Sequence, residues 1–163
     1  MIKREITVFY GPNGAGKTTI ARYLATKNKG LHIQLDWYSS MQRGKEWYTK
    51  NNNREKINLL LGTLDAVVTK TRYNKIYLDG VLLYTFMFKM LEVWCKNNKI
   101  NYKFVKLVGS EKKLAYRVTK RRKPRKNDWN KKLPKIYKHF TYPSSLEIDT
   151  TGKGISKVIK YLT

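Results

Sequence analysis

At 163 residues the chain is the size of one domain, which excludes a second full catalytic domain beside the first. Its 35 Lys and Arg against 11 Asp and Glu give a formal charge of +24, more than solubility requires, and so imply an anionic partner. With 41% hydrophobic and 13% aromatic residues there is ample core material, which excludes a disordered polycation.

From the start, Met1, Ile2, Lys3, Arg4 and Glu5 lead straight into a strand-like run at Ile6 to Tyr10, without the apolar segment and cleavage site of a secretory signal. The protein is expected to stay in the cytoplasm. Next comes Gly11-Pro12-Asn13-Gly14-Ala15-Gly16-Lys17-Thr18, which satisfies GxxxxGK[ST] directly after a strand and before a helical stretch from Thr19. Glycines there permit backbone conformations and close approaches that a Cβ would obstruct, so successive N–H groups can surround phosphate oxygens at a helix N-terminus. Lys17 adds a point charge for the β- and γ-phosphates, and the Thr18 hydroxyl suits Mg²⁺. Nucleotide binding is the strongest functional statement in the sequence.

A second strand is expected over Leu31 to Leu35, closed by Asp36, 19 positions beyond Lys17 and facing the same sheet edge. A carboxylate there can take the proton of an acceptor hydroxyl as it attacks the γ-phosphate; a helix cap or turn Asp is the plainer alternative. Trp37, Tyr38, Trp47 and Tyr48, interleaved with Arg43, Lys45 and Lys50, can stack bases and neutralise phosphates, or else pack beneath the segment.

Beyond Asn53, a reasonable N-cap, Ile57, Leu60, Leu61, Leu64, Val67 and Val68 form one apolar helical stripe. The strand Lys75 to Leu78 then delivers Asp79, which can hold a Mg²⁺-bound water or orient the acceptor, unless Asp79-Gly80 is only a turn. A helix over Tyr84 to Asn97 places Met87, Met90, Leu91 and Trp94 in the core, and the apolar stretch Val81 to Cys95 is too short and too charged to span a bilayer. Cys95 has no disulfide partner, and His32 and His139 alone make no soft-metal cluster.

After the strand Tyr102 to Val108, the segment Lys96 to His139 holds 17 of the basic residues against Glu111 and Asp128 alone. Ser110 can cap a helix from Glu111 that Pro124 should stop, followed by a loop at Asn127 to Asn130 and a short helix towards Phe140. Arg117 and Arg121, four apart on one helix face, can clamp a phosphate chain, or form part of a solvated basic face. Trp129 is a further candidate stacker. The last strand, Leu146 to Ile148, precedes a helix marked by Ile155, Val158, Ile159 and Leu162.

Strands alternating with helices indicate one α/β domain over residues 1–163 with a parallel sheet and a basic helical excursion at about 110–140. The loop spelling GPNGAGKTT also resembles ABC transporter ATPases, but there is no LSGGQ-type signature and Gly80, not Glu, follows Asp79; no NKxD motif supports a GTPase. Taken with Asp36, the IYLDG strand at Ile76 to Gly80, LAYRVTKR at Leu114 to Arg121 and Leu146-Glu147-Ile148-Asp149 before Thr150 to Gly154, the chain resembles the small P-loop kinases related to phage 5′-polynucleotide kinase and zeta toxins. That resemblance implies a P-loop NTPase fold of nucleotide-kinase type, with five parallel strands in the order 2-3-1-4-5, helices on both faces and a lid. It also implies ATP and Mg²⁺ as cofactors, Asp36 as base, Arg117 and Arg121 as lid arginines, Thr151, Gly152 and Lys153 as a wall beside adenine, and the host cytoplasm for a virus-encoded protein. One departure is Ser39, where the polynucleotide kinases carry an acceptor-binding Arg.

Charge argues for a polymeric acceptor. A nucleotide monophosphate carries about two negative charges, whereas neutralising about six to ten phosphates gains orders of magnitude in affinity at low salt. The expected reaction is therefore phosphorylation of a DNA or RNA hydroxyl, most simply a 5′-OH end, although a modified-base hydroxyl fits the same chemistry. The alternatives are a nucleoside or nucleotide kinase from a Lys-rich genome, and a nucleotide-switched nucleic-acid-binding protein without transfer. Neither a membrane nor a protein partner is implied.

Overall fold

A computed structural model describes residues 3–41, 49–120 and 129–162. Five strands, β1 (Glu5–Tyr10), β2 (Leu31–Gln34), β3 (Lys75–Gly80), β4 (Asn101–Val108) and β5 (Leu146–Asp149), form one sheet in the order β2-β3-β1-β4-β5. Every neighbouring pair is parallel, so the expected order and direction both hold. Helices α1 (Lys17–Lys27), α2 (Asp36–Met41), α3 (Lys50–Lys70), α4 (Thr85–Asn97), α5 (Glu111–Thr119), α6 (Trp129–His139) and α7 (Ile155–Ile159) complete the described elements.

Successive strand residues point to opposite sides of a sheet, and a fully covered parallel strand is apolar on both. In β1, Ile6, Val8 and Tyr10 join a core with Ile57, Leu60 and Leu64 of α3 and Met87, Phe88 and Leu91 of α4. Phe9 joins the other core, with Ile20, Ala21 and Leu24 of α1 and Val158 and Ile159 of α7. Helices thus cover both faces.

Local boundaries correct several sequence expectations. Helix α3 begins before Asn53: Thr49 is its N-cap, accepting the Asn52 N–H on its hydroxyl at 3.2 Å, while Asn53 is buried inside the first turns. Both residue types cap well, so local preference alone could not choose between them. Asp36 does not close β2, which ends at Gln34; it opens α2 instead. Asp79 and Gly80 continue β3 rather than turning away from it. Ser110 occupies the N-cap of α5 without a side-chain capping bond, and Trp129 and Asn130 belong to α6, not to a loop. Pro124 lies outside the described residues. No helix among the described residues is long and apolar enough to cross a membrane.

Candidate active site

The loop between β1 and α1 is shaped by close approaches. Gly11 has φ +136°, and a Cβ there would lie 2.1 Å from the Leu107 carbonyl oxygen; at Gly14, φ +83°, it would lie 2.7 Å from that of Leu114. Only glycine fits both the backbone and the space. The loop then enters α1 at Lys17, with left-handed Gly16 as N-cap, so the first N–H groups of the helix point out of its positive end. Lys17 is buried, and its Nζ donates to the carbonyls of Gly11 at 2.9 Å and Pro12 at 3.0 Å. Its ammonium is therefore held inside the curve of the loop.

Register brings the next carboxylate to this point. Asp79 pairs with Phe9, whose side chain faces α1, and the Asp79 side chain meets that helix too. The Thr18 hydroxyl donates to Asp79 Oδ2 at 2.5 Å, while His32 Nε2 contacts Oδ1. His32 lies opposite Tyr77 on the neighbouring strand, on the same face as Asp79. Two hard oxygen donors, the Thr18 hydroxyl and a fully buried carboxylate, suit Mg²⁺, which takes few protein oxygens and keeps several waters. Among the described residues no group of three or more His, Cys, Asp and Glu could hold a metal ion by itself.

Across the tip of β3, Asp36 Oδ1 accepts the Val81 N–H at 3.1 Å. A Cβ at Gly80 would lie 2.6 Å from Leu35 Cβ and 3.3 Å from Asp36 Oδ1, so Gly80 supplies the space that Asp36 occupies. Lys56 completes this side. On the buried face of α3 it is 2% exposed and its Nζ donates to the Val81 carbonyl at 3.2 Å. Burial pushes the pKa of its ammonium down, the Asp36 carboxylate opposes that shift, and the positive charge of Lys17 adds to it. Lys56 was missed in the sequence, although it sits four residues before Leu60 on the apolar stripe, where a charge is conspicuous.

Beside the loop a cavity of about 150 Å³ opens between Gly14, Ala15, Gly16 and Thr19 on one side and Arg117, Thr150 and Lys153 on the other, with Ile20, Ile155 and Val158 completing it. That is below the roughly 300–1,000 Å³ of pockets that enclose a whole small ligand, so it has room for only part of one. Arg117 donates to the Gly14 carbonyl at 3.1 Å, the Thr150 hydroxyl at 3.2 Å and the Thr150 carbonyl at 2.9 Å. Lys153 reaches the cavity, whereas Thr151 accepts the Ser110 N–H on its hydroxyl at 2.8 Å and Gly152 contributes a turn at φ +66°. Asn13 lies in the turn of the loop itself and is partly buried.

The acceptor-side aromatics divide. Trp37 is 63% exposed, but Tyr38 is 9% exposed, turned into the core with its hydroxyl 2.7 Å from that of Thr63. Tyr38 therefore cannot stack an acceptor base, because its ring is used in packing α2 against α3. Arg43, Lys45, Trp47, Tyr48 and Arg121 lie outside the described residues, as does most of the basic run after Lys120.

No family model matches the chain and no curated protein matches it. Solved structures do. A protein provisionally described as a kinase from Chloroflexus aurantiacus J-10-fl superposes with a TM-score of 0.73 at 15% identity, over 99% of this chain and 97% of that one. A gluconokinase from Sinorhizobium meliloti 1021 gives 0.70 at 16% identity, covering 98% and 89%. A sugar kinase from Janibacter sp. HTCC2649 gives 0.68 at 18%, covering 98% and 92%. The chain shares the fold of these structures over essentially its whole length.

Proposed function

We propose that the protein is an ATP- and Mg²⁺-dependent kinase that transfers the γ-phosphate to a hydroxyl of a nucleic acid, most simply a 5′-OH end of DNA or RNA. The single observation that carries the transfer chemistry is the convergence of two elements on the tip of β3: the loop with Lys17 and Thr18 reaches Asp79 from one face, and Asp36 docks on Val81 from the other. The likeness to solved kinases supports the same class of chemistry. The acceptor assignment rests on charge, +24 over 163 residues, and on Trp37 exposed beside Asp36.

In this reading the loop amides and Lys17 bind and orient the triphosphate, with the nucleoside end in the cavity beside Arg117 and Lys153. Mg²⁺, held through Thr18 and Asp79, would offset negative charge on the transferring phosphoryl group. Asp36 accepts the acceptor O–H proton as the new oxygen–phosphorus bond forms; the bond from the γ-phosphorus to the β,γ-bridging oxygen breaks, and ADP leaves with that electron pair. Arg117, or Arg121 beyond it, would steady the leaving phosphates.

A second reading, a kinase for a small polyhydroxyl compound, is favoured by the gluconokinase and sugar kinase among the similar structures. A nucleoside or nucleotide acceptor falls within the same test. γ-labelled ATP and Mg²⁺ are offered with 5′-hydroxyl DNA, 5′-hydroxyl RNA, nucleosides, monophosphates, gluconate and simple sugars, and the label is located. Label on polymer ends supports the first reading, label confined to small acceptors replaces it with the second, and no label anywhere removes transfer chemistry. In the active case Asp36→Asn should lower turnover about 10²–10⁴-fold while ATP binding persists.

A further inference from the structure

Lys56 is a buried cation for which the transfer chemistry above has no use. A buried, unpaired ammonium is costly, and a lysine on the apolar face of a helix is therefore present for a reason or compensated nearby. Here the compensation is specific. Val81 is held through both of its peptide units: the N–H of the unit shared with Gly80 goes to Asp36 Oδ1 at 3.1 Å, and the carbonyl of the unit shared with Leu82 receives Lys56 Nζ at 3.2 Å. Val81 itself is 1% exposed, and Gly80 just before it leaves the gap that Asp36 fills.

We propose that Lys56 is a positioning residue: from α3 it pins the Val81 carbonyl so that the Val81 N–H holds the Asp36 carboxylate at the mouth of the site. The inference rests on the reading of Asp36 as the acceptor-side base. A carboxylate on the first residue of a short helix, bonded to one backbone N–H, has rotational freedom unless that N–H is itself restrained; Lys56 restrains it from across the Val81 Cα by holding the following peptide unit. The electrostatics agree, because the Asp36 carboxylate raises the pKa of the buried ammonium against the lowering by burial and by Lys17. Lys56 and Asp36 thus stabilise each other through space as well as through the backbone of Val81.

The test combines a readout that does not depend on activity with one that does. Lys56→Met keeps an unbranched side chain of similar length and removes the ammonium; because the buried Val81 carbonyl loses its donor, the melting temperature should fall, and exchange is read relative to that global change. Hydrogen exchange of the Val81 amide, followed by NMR in wild type and Lys56→Met, should quicken at least about tenfold more than that of core amides such as Val8. In phosphoryl transfer, kcat should fall by about 10²-fold with ATP affinity retained, the scale of loss from an approximately 1 Å misplacement. Added to Asp36→Asn, Lys56→Met should cost nothing more. Unchanged protection of Val81 relative to those core amides overturns the proposal. So does a full additional loss on Asp36→Asn, or a raised acceptor KM with kcat intact, which would make Lys56 an acceptor contact. If the wild type phosphorylates no acceptor, the function proposed above fails separately, and the Val81 exchange rate alone decides the role of Lys56.

Discussion

Replacing Gly80 by Ala tests the partnership of β3 and Asp36 with one added carbon. The new Cβ would start 2.6 Å from Leu35 Cβ and 3.3 Å from Asp36 Oδ1. Carbon atoms in contact settle at about 3.5–4.0 Å, so Leu35 must withdraw by roughly 1 Å. Leu35 is fully buried and cannot swing into solvent, and its backbone N–H is tied to the Asp79 carbonyl at 2.7 Å. The strain should therefore pass into the backbone that carries Asp36. Overpacking of this kind costs about 1–3 kcal/mol, readable as a lowered urea midpoint at unchanged m-value. A displacement of about 1 Å at a proton-accepting carboxylate should also cost turnover about 10²-fold, with ATP affinity nearly constant because the phosphate loop is built from β1 and α1. Denaturation, nucleotide calorimetry and steady-state transfer on one preparation separate these effects. Wild-type stability together with wild-type turnover in Gly80→Ala would refute the claim that Asp36 is seated by the absence of that Cβ.

Three further outcomes follow from the same geometry. Lys17→Met should weaken ATP binding by about 1.5–3 kcal/mol, roughly ten- to 150-fold by calorimetry, because a charged donor to the phosphates is lost; unchanged affinity would remove the nucleotide from the loop. Glu92 accepts the hydroxyls of Tyr102 at 2.6 Å and Tyr142 at 2.8 Å, and these bonds hold its pKa below the ordinary 4.5. The stabilisation is present above that ordinary value and disappears as pH falls through the lowered one, so Glu92→Gln should reduce stability by about 1–2 kcal/mol at neutral pH and flatten the acid limb of the denaturation profile. Gly62 sits mid-helix in α3 with nothing within 4 Å of an added Cβ, so Gly62→Ala should stabilise by about 0.5–1 kcal/mol in the same urea assay, leaving activity untouched.

What the sequence discloses here depends on how local the cause is. The phosphate loop is legible because its strand, glycines, Lys17 and helix start are contiguous, and the strands because their branched and aromatic runs are bounded by polar residues. Strand order came from the family resemblance carried by those motifs. Lys56 stayed hidden because composition treats every lysine as solvated, and only the fold of α3 over Val81 shows what this one does. Tyr38 misled for the opposite reason: next to exposed Trp37 it reads as surface, yet one residue on a helix is a 100° turn, enough to bring it inside. The cavity wall joins Gly14 to Arg117 and Thr150, more than 100 residues along the chain, and no local pattern encodes such a meeting.

The alternation at the end of β3 has a consequence for how this chain can vary. Asp79 projects toward α1, and Gly80, one step later, opens the opposite side to Asp36. In the proposed reaction a single strand tip would thereby be the partition between the two reactants, with the donor on one side and the acceptor on the other. Inserting or deleting one residue between Lys75 and Gly80 would exchange the sides, sending the carboxylate into the acceptor's room and leaving Thr18 opposite empty space. Both halves of the reaction would be lost in one step, so the length of this six-residue strand should be guarded more strictly than the identity of the apolar residues along it.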